Sequence, residues 1–220
     1  MVGIALVTGL AFGVRHAFEA DHVAAVATLV EDGERPASTG AAWGVGHSVP
    51  ILLLGALFLA LGLRIPEPLA DGFEAVVALV LVALGLRVLA GREAIGTALL
   101  SHVHEGDGDG HRHVRVAGRE VGLVHSHADE ESFAVGVVHG LAGSGGVVVA
   151  LAAAAPTVAG GAAFLGAFAV ATVVAMSAAA WGFGTALGRT GALRTVAGLA
   201  SVAVGLLLLA DVLAVPAPLP

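Results

Sequence analysis

Apolar residues run through the chain in long blocks, and the short polar intervals between them define the elements. A helix needs about 20 mostly apolar residues to cross a bilayer. The first block, residues 2–30, is interrupted by Arg15, His16, Glu19, Asp21 and His22. Neither the 13 residues before Arg15 nor the 8 after His22 would span alone, so the pattern predicts one long helix with a polar centre. The second block, about 39–63, has no charged residue but contains His47 and Pro50. A third covers about 71–90, and a polar loop, 91–132, follows. Residues 133–188 carry no Asp, Glu, Lys or Arg, and Pro156 with Gly160 and Gly161 divides them into helices of about 133–155 and 160–187. The last covers about 195–215. The expectation is an all-α, polytopic membrane protein: residues 1–220 as a single transmembrane domain of about six helices, its halves joined by the loop.

Met1 to Val14 contains no basic residue, so the N-terminus reads as a first span rather than a cleaved signal. Arginine sets the orientation. The loops and helix ends after spans one, three and five hold Arg35, Arg87, Arg92, Arg112, Arg115, Arg119, Arg189 and Arg194, against Arg64 alone on the other side. This predicts a multi-pass cell-membrane protein with both termini outside and the 91–132 loop in the cytoplasm.

Gly-Val-x-His recurs at Gly13–His16, Gly44–His47 and Gly136–His139. In spans one and four the histidine follows a ladder of small residues (Gly9, Gly13, Ala17; Gly136, Gly140, Ser144). Span five offers Trp181-Gly-Phe-Gly-Thr185 where span two offers Trp43-Gly-Val-Gly-His47, but at the other end of its span. Three helices per half is an odd number, so the halves would be inverted repeats, a plan found in transporters.

Composition narrows the class. Of 220 residues, 57% are hydrophobic and 12% charged, about half the usual charged fraction of roughly 25%. That excludes a disordered chain, a nucleic-acid binder and an ordinary soluble globule, and makes the lipid bilayer the surrounding partner. Cysteine is absent, which removes thiolate metal sites and cysteine nucleophiles. Ten histidines remain in a chain that otherwise avoids polar side chains.

Four of the ten fall inside apolar spans. Each charge at the centre of a bilayer costs about 2.5–3.5 kcal/mol on insertion scales, so Arg15, Glu19 and Asp21 need pairing, a watery cavity or a bound species. On a regular helix Glu19 lies about 60° from His16, and His22 about 60° beyond it, whereas Asp21 lies about 140° away on the other side. Either the helix is distorted here, or Asp21 serves a neighbouring helix or orients a ligand. A structural knot of ion pairs with Arg15 is the alternative to a metal site. Imidazole and carboxylate together suit Ni²⁺, Co²⁺, Zn²⁺ and similar cations. His47 lies beside a Gly46 carbonyl whose usual partner Pro50 removes, and His139 is one turn from Gly143; both are candidates for the ion's path. Glu74 and Asp211, near helix ends, read as solvated or interfacial.

Here the chain resembles a known family. Arg15-His-Ala-Phe-Glu-Ala-Asp-His22 fits the His-x4-Asp-His signature of the nickel/cobalt transporter superfamily, which includes permeases of the urease-accessory and high-affinity nickel type. WGVGHSVPILLLG from Trp43 and GVVHGLAGSGG from Gly136 look like two further motifs of that family. The resemblance implies a metal site using His16, Asp21 and His22, with His47 and His139 in recognition or passage. Glu19 stands where many relatives carry aspartate. Six spans resembles the shorter branch, which holds both importers and exporters.

The other six histidines form three pairs in the polar loop: His102 and His104, His111 and His113, His125 and His127. Glu105, Asp107, Asp109, Asp129, Glu130 and Glu131 surround them, with Gly106, Gly108 and Gly110 between. Such a tract reads as an accessory metal-binding loop that buffers or passes on metal, with a solvated linker as the alternative.

The expected function is therefore secondary transport of a divalent transition metal, with Ni²⁺ or Co²⁺ as cargo, no tightly bound cofactor, no enzymatic activity, and a metallochaperone or metalloenzyme assembly factor as a possible partner. Uptake through the intramembrane His/Asp site ranks first and efflux second. A metal sensor or assembly factor ranks lower. So does an intramembrane hydrolase, because His16-x-x-Glu19-x-x-His22 lacks the His-Glu-x-x-His spacing.

Overall fold

The computed structural model describes residues 2–30, 35–61, 67–90, 114–116, 119–121, 127–141, 145–187 and 191–214. Its helices are α1 (Val2–Ala17), α2 (Ala20–Leu29), α3 (Pro36–Leu61), α4 (Glu67–Ala90), α5 (His127–Leu141), α6 (Gly145–Ala153), α7 (Val158–Leu187) and α8 (Gly191–Ala214). Strands β1 (Val114–Val116) and β2 (Arg119–Val121) form an antiparallel hairpin with Val114 opposite Val121. This hairpin is a small departure from the all-α expectation and lies inside the polar loop.

By length and apolar character, Pro36–Leu57, Val158–Ala186 and Ala192–Ala214 can each cross a membrane, and α1 with α2 makes a fourth candidate among the described residues. The chain is thus a helical protein with membrane-crossing segments.

The first block is not one helix. α1 and α2 meet at a 62° bend, which corrects the expectation of a continuous span. Glu19 adopts extended backbone (φ −63°, ψ 148°) ahead of α2. The Phe18 and Glu19 N–H groups close onto the Arg15 and His16 carbonyls, so the last turn of α1 tightens rather than leaving those carbonyls unpaired. Span length had favoured continuity, but a chain whose polar groups find partners at the break need not cross as a rod. Of the fourth expected span the structure describes α5 and α6, either side of residues 142–144, and α5 already begins at His127 within the expected loop. α3, by contrast, continues as helix through Pro50.

The bundle is held by backbone-close packing at glycine. A Cβ on Gly13 would come within 2.8 Å of the Ala171 Cβ and collide with the Phe168 carbonyl, so α1 lies directly on α7. Likewise a Cβ on Gly136 would strike the Trp43 carbonyl, and one on Gly140 would come within 2.7 Å of Pro50 Cγ, so α5 lies directly on α3. Small residues permit this approach where lipid supplies no hydrophobic driving force between helices. α4 and α8 pair in the same way, with Gly85 against the Gly198 carbonyl and Gly205 against that of Ala78. Hydroxyls add cross-links: Ser132 Oγ donates to the Thr39 carbonyl, Ser177 Oγ to that of Ala37 and Ser201 Oγ to that of Leu81, each at 2.8 Å. α3 and α7 lie at the centre, with Trp43, Ile51, Phe168 and Met176 fully buried.

Overpacking a tight core costs about 1–3 kcal/mol, so Gly140→Ala should lower the thermal melting temperature of the detergent-solubilised protein. Gly166→Ala, where a Cβ meets nothing within 4 Å, should not. Equal melting temperatures for the two variants would refute this account of the packing.

Candidate metal centre

His47 stands eleven residues into α3, roughly 16 Å along a helix of about 39 Å, near the middle of the bundle. Around it converge His16 from the last turn of α1, His22 from the first turn of α2 and His139 from the last turn of α5. All four imidazoles are buried. His22 is the hub: its ring centroid lies 4.4 Å from that of His16, 4.7 Å from His139 and 4.8 Å from His47.

The helix break makes this convergence possible. At the 62° bend Glu19 and His22 lie against His16, while Asp21 reaches His22 and His139. The sequence reading had left distortion or a neighbouring-helix role open for Asp21, and the geometry contains both. Asp21 Oδ1 lies 3.0 Å from His22 Nδ1, and Oδ2 lies 2.9 Å from His139 Nε2 on α5. Glu19 Oε2 lies 3.1 Å from His16 Nδ1 and 3.8 Å from His22 Nδ1. The carboxylates are the more open part of the cluster, Glu19 34% and Asp21 20% exposed.

An ionised carboxylate only accepts hydrogen bonds, so each imidazole nitrogen facing one carries the hydrogen. His22 then donates from Nδ1 and turns a lone pair outward at Nε2, which is buried without a hydrogen-bond partner. His16 donates from Nδ1 to Glu19 and presents Nε2 to His47 Nε2 at 2.9 Å. This is the arrangement in which a carboxylate fixes tautomer and ring orientation so that the other nitrogen can bind a metal. Two overlapping sets have ligand atoms within 4.8 Å of one another: His16, His22 and His47, and Asp21, His22 and His139. The orphaned His22 Nε2 and His47 Nδ1 together with the N/O donor set fit a borderline divalent cation.

The six intramembrane residues singled out as metal-site candidates, His16, Glu19, Asp21, His22, His47 and His139, thus lie in one cluster. Arg15 takes another position, its guanidinium carbon 5.6 Å above the Phe12 ring. Glu74 is half-buried and Asp211 exposed. Of the loop histidines, His102, His104, His111, His113 and His125 lie outside the described residues, as do Glu105, Asp107, Asp109, Gly143 and Ser144, and His127 is the first residue of α5. Sequence reasoning missed the use made of the acidic residues after it. Asp129 accepts from Ser38 Oγ at 2.8 Å, and Glu131 pairs with Arg87; both sit in the first turn or so of α5, whose dipole favours negative charge. They tie α5 to α3 and α4. The aromatic neighbours Trp43 and Phe168 were also missed, although Trp43 sits one helical turn from His47, a spacing visible in the sequence.

Because Asp21 orients two imidazoles, Asp21→Asn should weaken Ni²⁺ binding by about 10–100-fold while leaving the circular-dichroism helix signal unchanged. Calorimetric titration of the purified protein tests this, and unaltered affinity would remove Asp21 from the centre.

Comparison with known proteins agrees with the motif reading. Residues 3–103 match the family described as high-affinity nickel-transport protein, a stretch that includes the first two motifs. The urease accessory protein UreH of Bacillus sp. (strain TB-90) is 28% identical over 158 residues, covering 66% of this chain and 60% of that protein. The chloroplast protein FOR GROWTH AND FERTILITY 2 of Arabidopsis thaliana is 32% identical over 173 residues, covering 77% of this chain and 44% of that one. The nickel transporter NicT of Mycobacterium tuberculosis (strain ATCC 25618 / H37Rv) is 40% identical over 67 residues, 29% of this chain and 18% of the transporter. The chain therefore spans less than two thirds of the length of each of these relatives. No solved structure matches it significantly. Over residues 3–103 the chain is thus similar to the high-affinity nickel-transport proteins.

Proposed function

We propose that the protein is a secondary permease that carries Ni²⁺, or Co²⁺, across the cell membrane through the cluster of His16, Glu19, Asp21, His22, His47 and His139. The observation that carries this reading is the set of four buried imidazoles drawn from four helices, with His22 Nε2 held outward by Asp21 and left without a partner. A purely structural knot would have no use for an orphaned nitrogen at its hub. The similarity to nickel transporters supports the same cargo, and cobalt follows because both ions accept N/O ligands.

The finer architecture belongs to this proposal. Six spans would be α1 with α2, α3, α4, α5 with α6, α7, and α8, with both termini outside and the His-rich loop in the cytoplasm. Two inverted halves are supported by the exchange of partners: span one packs on span five, and span four on span two. In this register Gly13 and Gly136 each precede a histidine by three residues and rest on the carbonyls of Phe168 and Trp43. Phe168 thus corresponds to Trp43, and Thr172 to His47. Trp181, whose similar stretch lies at the other end of its span, is more than three turns of helix from Phe168. The loop histidines would buffer or hand on the metal, and the similarity to a protein named urease accessory protein supports a metalloenzyme assembly partner.

Uptake is the favoured direction on energetic grounds. A divalent ion moving inward at −100 mV gains about 4.6 kcal/mol, twice the roughly 2.3 kcal/mol per charge. Efflux would need a counter-moving ion.

Accumulation of ⁶³Ni in cells expressing the wild type, His22→Ala, and a form with the six loop histidines replaced by asparagine tests the proposal. Uptake above the empty-vector control that is lost with His22→Ala is the expected result, and retention of uptake by the loop variant would make the loop accessory. Accumulation below the control, restored by His22→Ala, would establish export. Identical accumulation in all cells would overturn transport and leave a sensor or assembly role.

A further inference from the structure

Three of the four central imidazoles are oriented by a carboxylate: His16 by Glu19, and His22 and His139 by Asp21. His47 is not among them. Its Nδ1 is buried without a hydrogen-bond partner, and Nε2 faces His16. An imidazole's lone pairs lie in its ring plane, so rotation about Cβ–Cγ sweeps them away from any fixed point. Something must hold that plane if His47 is to share an ion with His16 and His22.

The neighbour that does so is Trp43, one helical turn earlier on α3 and 0% exposed. Its ring lies flat against His47, centroids 4.9 Å apart and planes 7° from parallel. The same indole meets His22 edge-on at 5.2 Å and 84°, and His139 at 5.3 Å and 60°. An indole N–H only donates, so Trp43 offers no ligand atom. Its contribution is a rigid plane against rings from three helices. The backbone fixes it in turn, because Gly136 of α5 rests on the Trp43 carbonyl. On the other side of the cluster Phe168 stands in a looser version of this relation to His16, at 5.0 Å and 48°, where Glu19 already does the orienting.

We propose that Trp43 is the positioning residue of His47, its stacked indole doing for that imidazole what Asp21 and Glu19 do for the others. This rests on the metal-site reading and deepens it, by making the ligand geometry at His47 depend on an aromatic plane and not merely on filled volume.

Co²⁺ reports ligand geometry through its visible d–d absorption, and titration of the full-length, detergent-solubilised protein reads both band and affinity. Trp43→Phe, which keeps an aromatic plane, should retain the wild-type band and affinity. Trp43→Leu, apolar but without a plane, should shift the band and weaken binding by about tenfold or more, the range for loss of an orienting neighbour. A residue that only fills space would lower the melting temperature in both variants and leave the band alone. A Leu variant with wild-type band and affinity overturns the proposal, as does a Phe variant as impaired as the Leu one. A second measurement needs no change at Trp43. In Trp181→Phe, Trp43 is the remaining tryptophan, and its fluorescence should be quenched by Co²⁺ in step with the growth of the band; no quenching overturns the proposal. Absence of any Co²⁺ band in the wild type overturns the metal-site reading and the proposal together, whereas a band indifferent to Trp43 overturns the proposal alone.

Discussion

Asp21 accepts a hydrogen bond on each carboxylate oxygen, from His22 on its own helix and from His139 on α5, and that bridge makes a polar centre tolerable inside an apolar bundle. A charge at the bilayer centre costs about 2.5–3.5 kcal/mol even where the chain can adapt around it. Asp21 offsets that cost by accepting at both oxygens from donors on two helices. In doing so it also fixes which nitrogen of His22 carries hydrogen, and hence which faces the cluster. The bend between α1 and α2 goes with this arrangement, since Glu19 and His22 meet His16 there while Asp21 faces His139. Helix break, carboxylate and imidazole orientation are one feature seen at three scales.

The bridge could not form between helices at ordinary spacing. His139 reaches Asp21 because α5 lies on the α3 backbone at Gly136 and Gly140, and α1 brings His16 inward through the same kind of contact at Gly9 and Gly13. Glycine within a helix in water costs about 0.8–1.0 kcal/mol relative to alanine. Here the loss is offset by dispersion contacts along the whole interface and by short polar side chains reaching backbone carbonyls across it. Packing and chemistry are therefore not separable in this bundle. The glycine that admits the neighbouring helix sits three residues before the histidine that the neighbour needs, at His16 and again at His139.

That coupling explains what could be read in advance. The six intramembrane residues of the centre were legible because each stands where an apolar span should have none, and a costly residue in such a place needs a reason. A distortion at the Arg15–His22 cluster was one reading of the helical angles, but that it is a full break between α1 and α2 was not legible. Two apolar pieces too short to cross alone suggested one rod, and local sequence does not reveal that Glu19 and Asp21 find imidazole partners at a bend. Asp129 and Glu131 were read as part of a metal-binding loop for a related reason. Their partners, Ser38 and Arg87, are 91 and 44 residues away in sequence, and no local pattern separates a carboxylate that ties helices together from one left in water. Trp43 was visible one turn from His47, but an aromatic residue at that spacing is ordinary core until its plane is known to lie on the imidazole.

On the proposed two-fold frame, the halves are alike in packing and unlike in chemistry. Gly13 and Gly136 occupy equivalent contacts, yet Glu19 at the break after α1 is followed by Asp21 and His22 in α2, whereas residues 142–144 between α5 and α6 are Ala, Gly and Ser and α6 opens on Gly145 and Gly146. Phe168 and Thr172 stand where the other half has Trp43 and His47. If the protein transports as proposed, a symmetric frame would let the two halves exchange positions at little cost, whereas a cargo ion would need a single set of donors that stays together. Concentrating both carboxylates and three of the four histidines in the first half, with His139 as the contribution of the second, meets both requirements. In the proposed transport cycle the donors contributed by the two halves would stay joined by the hydrogen bond between His139 and Asp21.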